Sequence, residues 1–375
     1  MFRNDPLMCE KTILSLGACA GIINNGARAG GLIGGLAMKY AKLLQTGDTI
    51  GVCAPSSGID ESLWGRLDRA HENVRALGYD TIETVSVRRR SKCVSAAAQM
   101  RAAEFMSLYE DPKVAAIIPP WGGEFLMDML PHLDFPRLSD FSPKWISGYS
   151  DVTTLTFALS VCCDIATVHG SNFMNMGYAG IHKSDLAAFE AMSLYEITQH
   201  SSECWGDFNS WDDISKEAYN LDKKTEWKSL SCEREHRFEG RMIGGCMDVL
   251  CKLVGTRFAP VASFLEKYRH DGFIWSLESC EMNAADIYRS LWQMRECGWF
   301  KYCKGVIYGR AAGYSDTRDF TLADALESGL GSLGVPVIYD ADIGHVPPQI
   351  QIINGAYGKI DYSDGGATIW QAMRA

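Results

Sequence analysis

The chain has 375 residues, 47% hydrophobic and 22% charged, a balance that supports a globular core in one large domain or two ordinary ones. Its net charge of -10 argues against a nucleic-acid partner, because phosphate binding needs a basic face. No apolar run reaches about 18 residues, the length of a membrane span, so no membrane partner is expected.

The first 37 residues, with "GACAGIINNGARAGGLIGGLA", are rich in Gly, Ala and Asn and show no strong period. They read as a poorly ordered extension before Met38. "LGAC" loosely resembles a lipoprotein cleavage site, but Asp5 and Glu10 precede a short apolar stretch, which argues against export.

From Thr49 strands and helices alternate. "TIGVCAP" is a buried strand ended by "PSSG", and "SLWGRLDRAHENVRALG" has helical spacing with a terminal Gly. "DTIETV" is a strand and "SAAAQMRAAEFMSLYED" a helix of high propensity. "VAAIIPP" is a strand, and "GGEFLMDMLPHL" turns helical after its glycines. "PKWISGYS" is a strand, "DVTTLTFALSVCC" a helix and "IATVHG" another strand. Such alternation predicts an α/β fold with a parallel sheet covered on both faces.

Residues 186–237 are polar, aromatic and irregular, and read as a linker with covering loops. Beyond them, "GRMIGGCMDVLCKLVGT" reads as a Gly-rich turn into a helix. "GFIWSLES" is a strand, "AADIYRSLWQMRECG" a helix, "KGVIYGRAAG" a strand, "TLADALESGLGSLG" a helix and "PVIYDADIGH" a strand. The tail "IQIINGAYGKIDYSDGGATIW" alternates as antiparallel strands. Two domains are predicted, 38–185 and 238–375.

The 13 cysteines are odd in number, form no C-x-x-C pair and sit in apolar stretches, where Cys acts as a small hydrophobe. This usage predicts a reducing compartment, the cytoplasm, and no metal or cofactor.

The tetrapeptide Gly-Tyr-Ser-Asp occurs twice, at Gly148–Asp151 and Gly313–Asp316. A serine nucleophile needs a sharp, exposed turn, free backbone N–H groups for an oxyanion and a base within reach. Ser150 has that context, with a strand before it and an apolar helix after it, as in a nucleophile elbow. Asp151 also fits an ordinary helix cap. Ser315 sits in a polar loop, with "TLAD" capping a later helix.

Of eight histidines, His169 and His345 follow strands that could end near Ser150, and pattern alone does not choose between them. Candidate acids are Glu278, which ends an apolar strand, Glu281 one turn on, and Asp340 and Asp342 beside His345.

Five spaced stretches resemble the LD-carboxypeptidase family of serine peptidases, which includes muramoyltetrapeptide carboxypeptidases and microcin-C immunity peptidases. They are "LLQTGDTIGVCAPSSG", "IIPPWGGEFLMDMLPHLDF", "WISGYSDVTTL", "GRMIGGCMDVLCKLVGT" with "FIWSLESCE", and "YDADIGHVPPQIQIINGA". The resemblance covers nearly everything from Met38 onward, in order. It implies a flavodoxin-like or glutamine-amidotransferase-like N-domain and a smaller β-rich C-domain, with the site between them.

Carried over by position, it implies Ser150 as nucleophile, Glu278 as acid and His345 as base. The oxyanion donors would be backbone N–H groups of Asp151 and of Gly122 or Gly123, and His169 becomes a structural neighbour. Homodimers are common in the family, so a second copy is an expected partner beside a small peptide substrate.

Many relatives have "RGGYG" where this chain has Trp121-Gly122-Gly123-Glu124, and the 186–237 stretch is long and carries Trp205, Trp211 and Trp227. Relatives of the immunity branch bear a tryptophan there that stacks on a nucleobase. Trp205 and Trp211 are therefore candidate substrate contacts, with simple packing as the default reading.

The leading expectation is a serine carboxypeptidase that removes the terminal D-Ala of a murein tetrapeptide in wall recycling. The alternatives are hydrolysis of a peptidyl-adenylate toxin by the same triad, cysteine amidohydrolase chemistry at Cys246, and a non-catalytic two-domain binding protein.

Overall fold

The computed structural model describes residues 37–207 and 218–374. Residues 1–36, and with them the expected extension, lie outside the described residues, as does Trp211.

Chain order in the first half is β1 (Thr49–Val52), α1 (Trp64–Ala76), β2 (Asp80–Glu83), α2 (Ala98–Glu110), β3 (Val114–Ile117), α3 (Phe135–Asp140), β4 (Trp145–Ile146), α4 (Thr153–Cys163), β5 (Thr167–His169) and α5 (Lys183–Ser193). The first four strands make a wholly parallel sheet in the order β2-β1-β3-β4. The β-branched and small apolar residues of β1 and β3 are buried between helices, as a parallel sheet requires.

The chain continues through four short strands, β6 (Glu196–His200), β7 (Cys204–Trp205), β8 (Lys223–Lys224) and β9 (Lys228–Ser229). Then follow β10 (Glu235–Cys246), α6 (Met247–Leu253), α7 (Val261–Lys267), β11 (Phe273–Glu278), α8 (Ala284–Glu296), β12 (Cys303–Gly309), α9 (Leu322–Leu330) and β13 (Val337–Ala341). The chain closes with β14 (Ile352–Asn354), β15 (Tyr357–Ser363) and β16 (Gly366–Ala372). The second sheet has eight strands in the order β6-β16-β15-β10-β11-β12-β13-β9 and is the wider of the two. Its centre, β10 to β13, is parallel, and its flanks are antiparallel. The protein is thus α/β, with a parallel sheet and a larger mixed one.

Two local expectations change. The segment 186–237 is more than linker, because β6 and β9 form the two edges of the larger sheet and Trp227 is buried. Edge strands keep one side in water, so their polar residues read as loop. The stretch "GRMIGGC" is the end of the long strand β10, not a turn. Its Gly244 sits at φ +151 and Gly245 at φ +143, and a Cβ on Gly245 would collide with the Thr153 side chain. Glycine there lets the second sheet approach the start of α4.

Helix α4 is buried on almost every side, which explains its lack of a polar face. Phe157 stacks on Trp299 at 5.3 Å, and Trp299 on Trp275 at 5.7 Å, so α4 packs against the second sheet as well as the first. Alternate residues of the central strands divide between two cores: Ile243 and Trp275 enter the main one, Met242 and Ile274 the smaller one beyond the sheet. A further short ladder joins the halves, with β5 antiparallel to β14 and His169 opposite Ile352.

Candidate active site

Between β4 and α4 the chain turns sharply. Gly148 has no room for a side chain, since a Cβ would lie 2.6 Å from Val152 and 2.7 Å from Asn172 Oδ1. Ser150 then adopts φ +63, in the left-handed region. Holding a non-glycine residue there costs about 1–3 kcal/mol, and such strain concentrates at functional sites. A single turn of tight helix, Ser150–Val152, leads directly into α4.

The two glycines of "WGGE" differ in what they face. A Cβ on Gly122 would lie 2.8 Å from Ser150 Oγ and 2.8 Å from the Asp151 nitrogen. Gly123, at φ +146, faces Ser56 and Ser57 instead. The Asp151 carboxylate is buried and committed to structure: Oδ2 accepts from Ser56 Oγ at 2.5 Å and from the Leu126 N–H at 2.9 Å, and Oδ1 from Thr154 Oγ1 at 3.1 Å. Burial pushes its pKa up, and these bonds oppose the shift.

Glu278 ends β11 and is fully buried. His345 lies in the loop after β13, and its Nδ1 is 2.8 Å from Glu278 Oε2. Gly344, at φ +93, lets the loop close on this carboxylate, because a Cβ there would lie 2.5 Å from Glu278 Oε2. Burial raises the Glu278 pKa, but His345 and then His169 outweigh it, so the net shift is downward and the group is ionised. For His345, burial acts against the imidazolium, and the Glu278 charge and a bond to Cys280 overcome it and hold the pKa well above 6.5. The Tyr149 ring, next to Ser150, meets the His345 ring edge-on at 4.9 Å.

His169 is buried beside the same carboxylate. Its Nε2 stands 3.8 Å from Glu278 Oε1, and its Nδ1 is 3.3 Å from Thr153 Oγ1. Burial drives its pKa down to about 4, so the ring is neutral. The other acids considered from sequence have different partners. Asp342 pairs with buried Arg310, Asp340 lies 2.8 Å from Lys228, and Glu281 is exposed.

A cleft of about 1150 Å³ is lined by Gly123, Ser150, Asp151, Cys246, Cys280 and Glu281, among others. Cys246 is not an activated nucleophile: burial, then the nearby Glu278 charge, push its thiol pKa far up. Cys280 went unnoticed in the sequence. It has no motif, and it meets His345 only because β11 ends beside the loop after β13.

Trp205 lines another cavity, of about 880 Å³, with Arg310, Tyr314 and Tyr339. The Arg310 guanidinium lies 5.1 Å and the Lys223 ammonium 4.6 Å from the centre of its ring. Ser315 is an exposed loop residue, and Thr321 caps α9 in a capping box with Asp324.

Known proteins are similar to this chain over most of its length. The Murein tetrapeptide carboxypeptidase of Pseudomonas aeruginosa is 23% identical over 328 residues, which cover 86% of this chain and 94% of that one. The Microcin C7 self-immunity protein MccF of Escherichia coli is 23% identical over 342 residues, 87% of this chain and 94% of that one. The crystal structure of an MccF-like protein from Bacillus anthracis shares the fold, with a TM-score of 0.77 at 24% identity over 89% of this chain and 99% of that one. The LD-carboxypeptidase N-terminal domain matches residues 50–170 and the LD-carboxypeptidase C-terminal domain residues 239–360, and the chain belongs to this family of peptidases.

Proposed function

We propose that the protein is a serine carboxypeptidase that cleaves an L,D peptide bond, removing the terminal D-Ala of murein tetrapeptides. The observation that carries this reading is the buried Glu278–His345 pair at 2.8 Å, set behind the cleft where Ser150 occupies a strained turn.

His345 takes the proton of Ser150 as its Oγ attacks the scissile carbonyl. Glu278 holds Nδ1 protonated and stabilises the imidazolium that forms. The Asp151 N–H and the Gly122–Gly123 backbone hold the oxyanion, with Asp151 fixed by its side-chain bonds. His345 then gives its proton to the leaving amine, and water hydrolyses the acyl-enzyme.

The test is incubation of the purified chain with a murein tetrapeptide and with an all-L control. D-Ala release from the first alone is the expected result, and no release from either rejects the reading.

Gly122→Ala would place a methyl 2.8 Å from Ser150 Oγ, where the oxyanion would form. A fall in kcat of about 10²-fold or more is expected, the scale of a lost oxyanion donor. Steady-state kinetics checks it, with circular dichroism to show that the fold persists.

Trp205 already carries cation contacts from Arg310 and Lys223, and simple packing is the reading kept for it. Trp205→Ala is expected to leave tetrapeptide cleavage within about tenfold of the parent, equivalent to about 1.4 kcal/mol. The parent should also prefer the tetrapeptide to an aminoacyl-adenylate analogue. A preference for the adenylate, lost in Trp205→Ala, would place the chain with the immunity proteins instead.

A further inference from the structure

Two thiols flank the Glu278–His345 pair, and hydrolysis as described uses neither. Cys246 closes β10 directly opposite Glu278 in the strand register. Its Sγ, a Glu278 carboxylate oxygen and a His345 ring nitrogen all lie within 4.8 Å of one another. Cys280, two residues past Glu278, bonds the His345 ring and lines the cleft together with Cys246. Cys246 bonds the buried Glu278 carboxylate, and His169 stands off from its Oε1 at 3.8 Å.

Thiolate, imidazole and carboxylate are the three donor types that Zn²⁺ takes, at about 2.0–2.3 Å in a tetrahedron. Donors around such an ion sit roughly 3.5 Å apart, so these three need draw in by only about an ångström. Sulfur donors disfavour Mg²⁺ and Ca²⁺, which take oxygen. All three groups come from strand ends and a loop that meet only in the fold, which is why no ligand spacing marks them in the sequence.

We propose that Cys246, Glu278 and His345, with Cys280 as the fourth ligand from the cleft side, form a site for a soft divalent cation such as Zn²⁺, and that filling it silences the enzyme. Binding releases the two thiol protons, and the His345 proton where the ring is an imidazolium, to solvent, and fixes the imidazole and carboxylate on the metal. His345 then cannot accept the Ser150 proton. The inhibitory half rests on the hydrolytic reading above, whereas the binding half does not.

The test uses the full chain with Cys9, Cys19, Cys93, Cys232 and Cys297 changed to Ser, which removes the thiols outside the described residues and the exposed ones. It is titrated with CoCl₂, followed in the near ultraviolet for thiolate-to-cobalt charge transfer, and then with ZnCl₂. One Co²⁺ per chain, displaced by Zn²⁺, is expected. Cys246→Ser should abolish or diminish the band and weaken binding by at least about tenfold. Cys280→Ser, at a half-exposed position, provides a second variant whose folding is not at stake.

No band, or a band unchanged in both variants, overturns the site. D-Ala release should fall as Zn²⁺ fills the site and return with a chelator, and turnover that persists in the filled protein overturns the inhibitory half. A protein that binds Zn²⁺ as expected yet cleaves no peptide overturns the hydrolytic reading and leaves the metal site standing.

Discussion

Ser150→Ala is expected to abolish D-Ala release while leaving the thermal midpoint close to that of the parent. The substitution removes one oxygen at a half-exposed position, so little packing is lost. The left-handed backbone at φ +63 is held by its surroundings rather than by the hydroxyl: Tyr149 N–H bonds Asn172 Oδ1 at 3.2 Å, and Gly148 is closely packed. Loss of a triad member leaves only the residual rate from binding and the oxyanion donors, about 10³–10⁴-fold above water. Ser315→Ala is the internal control, since the same tetrapeptide there lies in an exposed loop. It should change kcat/KM by less than about twofold, in line with surface substitutions away from structural features. Full activity in Ser150→Ala would end the mechanism.

Glu278→Gln comes next in expected effect. Shape is nearly kept, but the amide cannot stabilise the imidazolium or enforce the working tautomer of His345. A loss of about 10⁴-fold in kcat is expected, by comparison with the same change in other triads. Glu281→Gln should cost far less, because that side chain is exposed and its backbone N–H, which the change keeps, is what bonds Asp248 at 3.0 Å.

A pH profile adds a readout that a merely structural role would not move. His345 must be neutral to act as a base, so kcat/KM should rise with pH as the ring loses its proton. Burial lowers the His345 pKa, but the Glu278 charge and the Cys280 bond outweigh it, and the midpoint should therefore lie above 6.5. Removing the charge in Glu278→Gln should move the midpoint of the residual activity downward. An unchanged midpoint, or equal losses at Glu278 and Glu281, would show that the acid is misassigned.

The alternation of strands and helices from Thr49 onward is written in the sequence, because hydrophobic period and turn residues act over a few neighbours. The Ser150 turn is legible for the same reason: β4, the turn and α4 are contiguous, and the second Gly-Tyr-Ser-Asp lacks the apolar helix. Pattern by itself did not separate His169 from His345, since each follows a strand. The fold separates them through non-local contacts. β10 and β11 bring Cys246 level with Glu278, the loop after β13 closes on that carboxylate through Gly344, and the β5–β14 ladder sets His169 on its far oxygen.

The two rings then differ in charge environment. Glu278 and Cys280 overcome burial at His345, while burial prevails at His169 and takes it down to about 4. Residues 186–237 read as linker because short edge strands carry little apolar pattern, yet β6 and β9 complete the second sheet. Trp205 is a candidate platform by composition, and only the fold sets Arg310 and Lys223 beside its ring. Sequence alone determined the elements and the serine turn, which short-range sterics and burial period dictate. The histidine–glutamate pair, the thiols around it and the edges of the second sheet were decided by strand pairing between residues far apart in the chain.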